Sequence, residues 1–229
     1  MRKYLSIFVS SILSGFCIAF GATVYLLCLN MGSGTLNAGL LKVIGSFMFG
    51  IGLFTIIHFG FWLYTGKVGY LLDNKPKYIM SLLVCFLGNT VGSLIIAGLI
   101  GLSNQSDALY NQAKSIVDAK MNSTWYSILI MSMMCGVMIY LAVEGHKKCE
   151  YTLGKVLFAF MPIALFILAG FEHVVANVTY FTYAKFFSFK ALGYFVLMFI
   201  GNGLGAVIFD GLIKLLKYFS KPKENKIIQ

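Results

Sequence analysis

The chain has 229 residues, 59% hydrophobic and only 11% charged, with a formal charge of +10 and a mean hydropathy of +0.84. Globular domains average about 25% charged residues, so a soluble domain of this size is excluded: it could not cover itself with polar surface. The positive balance would suit a nucleic-acid partner only if the charges were clustered, and they are not.

The first uncharged run, residues 4–41, follows Arg2 and Lys3. A signal peptide starts the same way, but this apolar stretch is about 25 residues long and has no small-x-small cleavage site, so it reads as a membrane helix. Asn30-Met31-Gly32-Ser33-Gly34 interrupts the run, leaving one span and then a loop. The second run, 43–66, ends in Leu63-Tyr64-Thr65-Gly66-Lys67-Val68-Gly69-Tyr70, two glycines around a lysine before another apolar patch. Runs 78–106 and 121–143 are the third and fourth. The fifth stretch, 156–184, is apolar apart from Glu172 and His173, and 191–209 is the sixth. A spanning helix needs about 20 apolar residues, so the pattern predicts six spans. With both termini in the cytoplasm, 13 of the 18 Lys and Arg fall inside, and only Lys42, Lys114, Lys120, Lys185 and Lys190 fall outside. This positive-inside bias makes the charge a record of topology in an inner (plasma) membrane rather than of nucleic-acid binding. Residues 221–229 read as a short basic cytoplasmic tail near anionic lipid.

Span three contains Leu87-Gly88-Asn89-Thr90-Val91-Gly92-Ser93-Leu94-Ile95, and span six contains Ile200-Gly201-Asn202-Gly203-Leu204-Gly205-Ala206-Val207-Ile208. Small residues four apart let helix backbones approach, and an Asn can bond to a neighbouring helix or a broken backbone. The recurrence three spans apart implies two halves, about 1–110 and 111–220, in opposite membrane orientation within one channel domain. Span two then corresponds to span five, and each is suited to a broken helix. Residues 156–184 as one helix would be ~43 Å long against a ~30 Å hydrocarbon core. Unwound backbone is tolerated at that depth only inside protein or beside a cavity. A charged group costs at least ~2.5–3.5 kcal/mol there, so Glu172 and His173 mark a site on a path through the membrane or a structural pair.

Gly170-Phe171-Glu172-His173 with Ala176-Asn177 resembles the signature of the formate/nitrite transporter family, and the similarity covers nearly the whole chain. Leu63-Tyr64-Thr65-Gly66 resembles that family's Leu-Phe-Thr-Gly loop, both Gly-Asn-x-x-Gly elements fit, and Lys155 precedes Pro162 by seven residues. The resemblance implies an all-α membrane protein of six spans in two inverted halves with broken second and fifth helices, aquaporin-like and homopentameric with one pore per subunit. It also implies a channel or transporter for formate, nitrite or hydrosulfide, with no enzyme activity and no cofactor. By the resemblance His173 matches the central pore histidine and Thr65 its partner. Leu53, Phe166 and Phe49 match one constriction, and Tyr64 and Ile139 a second. Lys120, sixteen residues before Gly136, matches a vestibule lysine. Asn177, Asn89 and Asn202 match framework or pore-adjacent positions. Three places depart from the pattern: Trp62 where an acid is common, Gly136 where an Asn is usual (which removes a possible donor to the anion), and Lys67 for the commoner Asn.

Two mechanisms are open at this point. His173 lends a proton so that a neutral acid crosses the apolar slit, or it stays neutral and donates one hydrogen bond to an anion. Lys120 would raise the local anion concentration. Glu172 is assigned to structure, pointing away from the pore and tethering the broken helix. A zinc-hydrolase reading fails, because the metalloprotease pattern needs a second His where Asn177 stands. His58 reads as a helix-packing residue and His146 as part of a basic inner loop. The five cysteines are spaced neither as metal ligands nor as a disulfide framework. The alternatives of another class are an aquaporin-like neutral-solute channel, against which the absence of an Asn-Pro-Ala pair counts, and a non-transporting membrane scaffold.

Overall fold

The computed structural model describes residues 2–32 and 37–220, so the tail at 221–229 lies outside the described residues. Spanning helices α1 (Arg2–Met31), α2 (Ala38–Phe59), α4 (Tyr78–Ile100), α6 (Trp125–Lys148), α7 (Thr152–Ala169) and α9 (Phe189–Phe219) each occupy one of the six apolar stretches. Between them lie the short α3 (Tyr64–Lys67), followed by a 3-10 turn at Val68–Asp73, then α5 (Ser106–Met121) and α8 (Val174–Tyr183). An even number of spanning helices puts the start of α1 and the end of α9 on the same face of the bundle, the termini side.

Spans two and five are broken, and both breaks are built alike. Helix α2 stops on Gly60 (φ 69°, ψ 24°) and α7 on Gly170 (φ 73°, ψ 26°), both left-handed. The next amide reaches back over the end: Phe61 N–H donates to the Ile56 carbonyl at 3.0 Å, and Phe171 N–H to the Phe166 carbonyl at 2.9 Å. This six-to-one closure satisfies carbonyls that the helix end would leave bare, and it suits glycine because no Cβ obstructs the left-handed turn. An extended stretch follows, and α3 or α8 then resumes the crossing.

The repeated asparagines hold these extended stretches. Asn89 Oδ1 accepts from Tyr64 N–H at 2.8 Å, while its Nδ2 donates to the Trp62 and Ser11 carbonyls, each at 2.9 Å. Asn202 does the same 110–121 residues later: Oδ1 accepts from Val174 N–H at 2.9 Å, and Nδ2 donates to the carbonyls of Glu172 at 2.7 Å and Ser132 at 2.8 Å. Each amide thus supplies groups that water would supply outside a bilayer. Helix α1 packs along α4 and α6 along α9, with α2 against α7 between the pairs. Close approach in each pair rests on glycine. A Cβ on Gly15 would lie 2.3 Å from the Asn89 carbonyl oxygen, and one on Gly136 would lie 2.1 Å from that of Asn202.

This placement corrects the reading of Gly136 as a lost donor to the anion: the position faces α9 backbone and has no room for any side chain. The division near residue 110 also falls inside α5, a helix the apolar runs did not announce. It buries Leu109, Ala113, Val117 and Met121, four residues apart, against α1 in one half and α8 in the other.

Candidate functional site

The two breaks meet inside the bundle. Thr65 is the second residue of α3 and His173 caps the N-terminus of α8; both are buried, at 1% and 2% exposure. Thr65 Oγ1 and His173 Nε2 are 2.9 Å apart. His173 Nδ1 accepts the Ala176 backbone N–H at 3.0 Å. A backbone N–H can only donate, so Nδ1 carries a lone pair and the neutral ring holds its proton on Nε2. That N–H points at the Thr65 oxygen, leaving the hydroxyl proton free to seek another acceptor. His173 lies nearly parallel to Phe166 (centroids 5.8 Å, 18°), which meets Phe49 edge-on at 6.0 Å. Phe49 and Leu53, four apart on α2, are both almost fully buried, so with Phe166 they make an apolar plug beside the polar pair.

Away from the termini, a cavity of about 360 Å³ is lined by Lys42, Lys120, Glu172, Tyr25 and Tyr180. Lys120 Nζ sits 2.5 Å from Glu172 Oε2, which also accepts from Asn177 Nδ2 at 2.9 Å; the same Nδ2 donates to the His173 carbonyl at 3.0 Å. The acid and the imidazole therefore do not pair with each other. Glu172 tethers the start of α8 through Asn177, as its structural assignment requires, but it faces this vestibule instead of pointing away. Lys120 is neutralised there, so it is not the bare cation expected at the mouth. Lys42, which the sequence did not single out as a site residue, donates to the Leu168 carbonyl at 3.3 Å.

On the termini side a second cavity, about 250 Å³, is lined by Leu53, Leu63, Lys67, Val143, His146 and Lys147. Its apolar floor is Leu53 and Leu63, and Leu63 was missed. A signal existed: Gly60-Phe61-Trp62-Leu63 and Gly170-Phe171-Glu172-His173 share Gly-Phe, and aligning them places Leu63 opposite His173. Tyr64 turns away from this cavity. Its ring stacks on Phe199 at 4.3 Å and its hydroxyl donates to the Phe199 carbonyl at 2.9 Å, because the small Gly203 leaves room on α9. Ile139 is buried in α6, and Val143, one turn on, lines the cavity in its place. The structure thus brings Thr65, His173, Phe166 and Phe49 together, joins Lys120 and Asn177 through Glu172, and puts Leu53 on the termini-side cavity, while Tyr64 and Ile139 line neither of the two cavities. His58 lies exposed on α2 with its ring 4.7 Å from Phe54, and His146 belongs to α6, not to a loop. Among the described residues no group of three His, Cys, Asp or Glu could hold a metal, and all five cysteines are free.

The family model described as formate/nitrite transporter matches residues 1–216. The formate channel FocA of Haemophilus influenzae is 31% identical over 186 residues, which cover 77% of this chain and 65% of that protein, just under two thirds of its length. A solved structure described as a pentameric formate channel with formate bound superposes with a TM-score of 0.79 at 20% identity, covering 95% of this chain and 98% of that one. A second, an FNT family ion channel, gives 0.78 at 25% identity, covering 95% and 91%. With a family model matched over almost all its length and the same six-span fold, this multi-pass membrane protein belongs to the formate/nitrite transporter family.

Proposed function

We propose that the chain forms a homopentameric channel for small monovalent weak-acid anions, formate or nitrite first and hydrosulfide next, with one pore per subunit and both termini in the cytoplasm. The observation that carries this reading is the Thr65–His173 pair, held by two broken helices between an apolar plug and two cavities with basic walls. An anion entering an apolar slit loses hydration at a cost of many kcal/mol unless donors replace the water. Here the Nε2–H of His173 and the hydroxyl of Thr65 are those donors, and the N-terminal end of α8 adds a favourable dipole.

The cap geometry supports the route in which His173 stays neutral. Lending a proton would require a second one on Nδ1, which would then face the Ala176 N–H with nothing to accept it. On this reading any proton that travels with the anion comes from the vestibules and not from the ring.

Flux in liposomes tests the proposal, with formate, nitrite, hydrosulfide and glycerol compared. His173→Ala and Thr65→Val each lower anion flux by about tenfold or more, the order of one lost site donor at 1.4 kcal/mol per decade. His173→Asn, which keeps an acceptor for the Ala176 amide, stays folded and retains part of the flux. Unchanged flux in His173→Ala, or swelling in glycerol alone, overturns the reading.

A further inference from the structure

The two vestibules are not electrically equivalent. Away from the termini, Lys120 is compensated by Glu172, leaving Lys42. On the termini side the cavity wall carries Lys67 and Lys147 and, among the described residues, no carboxylate. Glu144 on α6 is already engaged: Oε2 accepts from the Tyr70 hydroxyl at 2.7 Å and Oε1 from Lys148 at 2.8 Å. Lys147 donates to that same Tyr70 oxygen at 2.7 Å with its ammonium 4.0 Å from the ring centre, and Lys67 lies 5.2 Å from the Trp62 ring centre. Aromatic faces hold both cations in place, and neither ammonium makes a direct ion pair among the described residues. His146 adds no competing acceptor from Nδ1, which bonds the Lys155 carbonyl at 3.0 Å.

We propose that this cavity is a holding site for one small monovalent carboxylate or nitrite ion, bound by the ammonium groups of Lys67 and Lys147 above the Leu53–Leu63 floor. The assignment rests on the anion-channel reading above. The site makes loading asymmetric: anions enter from the termini side at lower concentration than from the other, while the equilibrium distribution is untouched. Two ammonium groups on the cleft wall, one of them linked to Glu144 only through the Tyr70 hydroxyl, raise the local anion concentration by about tenfold, and salt removes the gain.

The test uses the full chain in vesicles, with insertion direction fixed by protease access to the C-terminal tail, at pH 8. Half-saturation for ¹³C-formate entry is measured from each side, and line broadening of ¹³C-formate reports binding to the solubilised protein. K67M and K147M each raise half-saturation about fivefold from the termini side only, K67R restores it, and the double variant loses the broadening. Equal shifts from both sides, no shift, or unchanged broadening in the double variant overturns the holding site. If wild-type vesicles pass no anion at all, the channel reading falls, and the broadening alone then decides whether the site exists.

Discussion

Replacing Asn202 with Leu removes three hydrogen bonds at once, from the Val174 amide and to the Glu172 and Ser132 carbonyls, at a side chain with 0% exposure. Interhelical bonds in membranes are worth roughly 0.6–1.7 kcal/mol each, so the three sum to about 2–5 kcal/mol. The loss also frees the backbone on either side of His173, since Glu172 and Val174 are its neighbours. Equilibrium unfolding in bicelles should show the destabilisation, and formate flux per folded channel should fall at least tenfold. Asn202→Asp keeps the acceptor for Val174 but aims its other carboxylate oxygen at two carbonyls, so it should be no better than Leu. Because Asn89 makes the matching three bonds, Asn89→Leu should cost the same to within ~1 kcal/mol. A loss below ~0.5 kcal/mol for Asn202→Leu, or full flux in that variant, would refute the argument that the amide sets the break.

Gly136→Ala places a Cβ 2.1 Å from the Asn202 carbonyl and should destabilise by about 1–3 kcal/mol in the same assay. Gly15→Ala, its counterpart in the first half, should match it; tolerance of either would mean that the helix pairs are not set by glycine. At Gly60 and Gly170 nothing lies within 4 Å of an added Cβ, so Ala there tests the backbone alone and should cost about 1 kcal/mol through the positive φ. Glu172→Gln leaves Lys120 without a counter-charge while keeping an acceptor for Asn177. Entry from the side away from the termini should then gain affinity and fall more steeply with salt, which half-saturation at 50 and 500 mM salt would reveal.

What could be read in the sequence follows from how far each constraint reaches along the chain. The six spans were legible because a bilayer demands local apolar length. The break in span five was legible because residues 156–184 are too long for one crossing and contain Glu172 and His173. The Thr65–His173 partnership came only through family resemblance, since 108 residues separate the two. Helix α5 escaped because it needs only one narrow buried stripe on an otherwise polar surface. The Lys120–Glu172 pair, 52 residues apart, and the rotation of Tyr64 onto Phe199 depend on how helices turn about their axes, which hydropathy does not encode. Gly136 shows the opposite error: a comparison by position suggested a missing side chain where packing allows none.

The two halves share a capping glycine, a following phenylalanine and an asparagine clamp, so each sets its own break by the same means. What differs is the side chain delivered at each equivalent place. Trp62 answers Glu172 and Leu63 answers His173, with offsets fixed by the common Gly-Phe. The first half therefore contributes apolar walls and the second contributes the acid and the imidazole, while Thr65 crosses over to the polar side. An inverted repeat with identical side chains would present the same surface to both faces of the membrane. Divergence at these two positions places an acid paired with Lys120 beside one cavity and the apolar Leu63 on the floor of the other, without disturbing the backbone that both halves need.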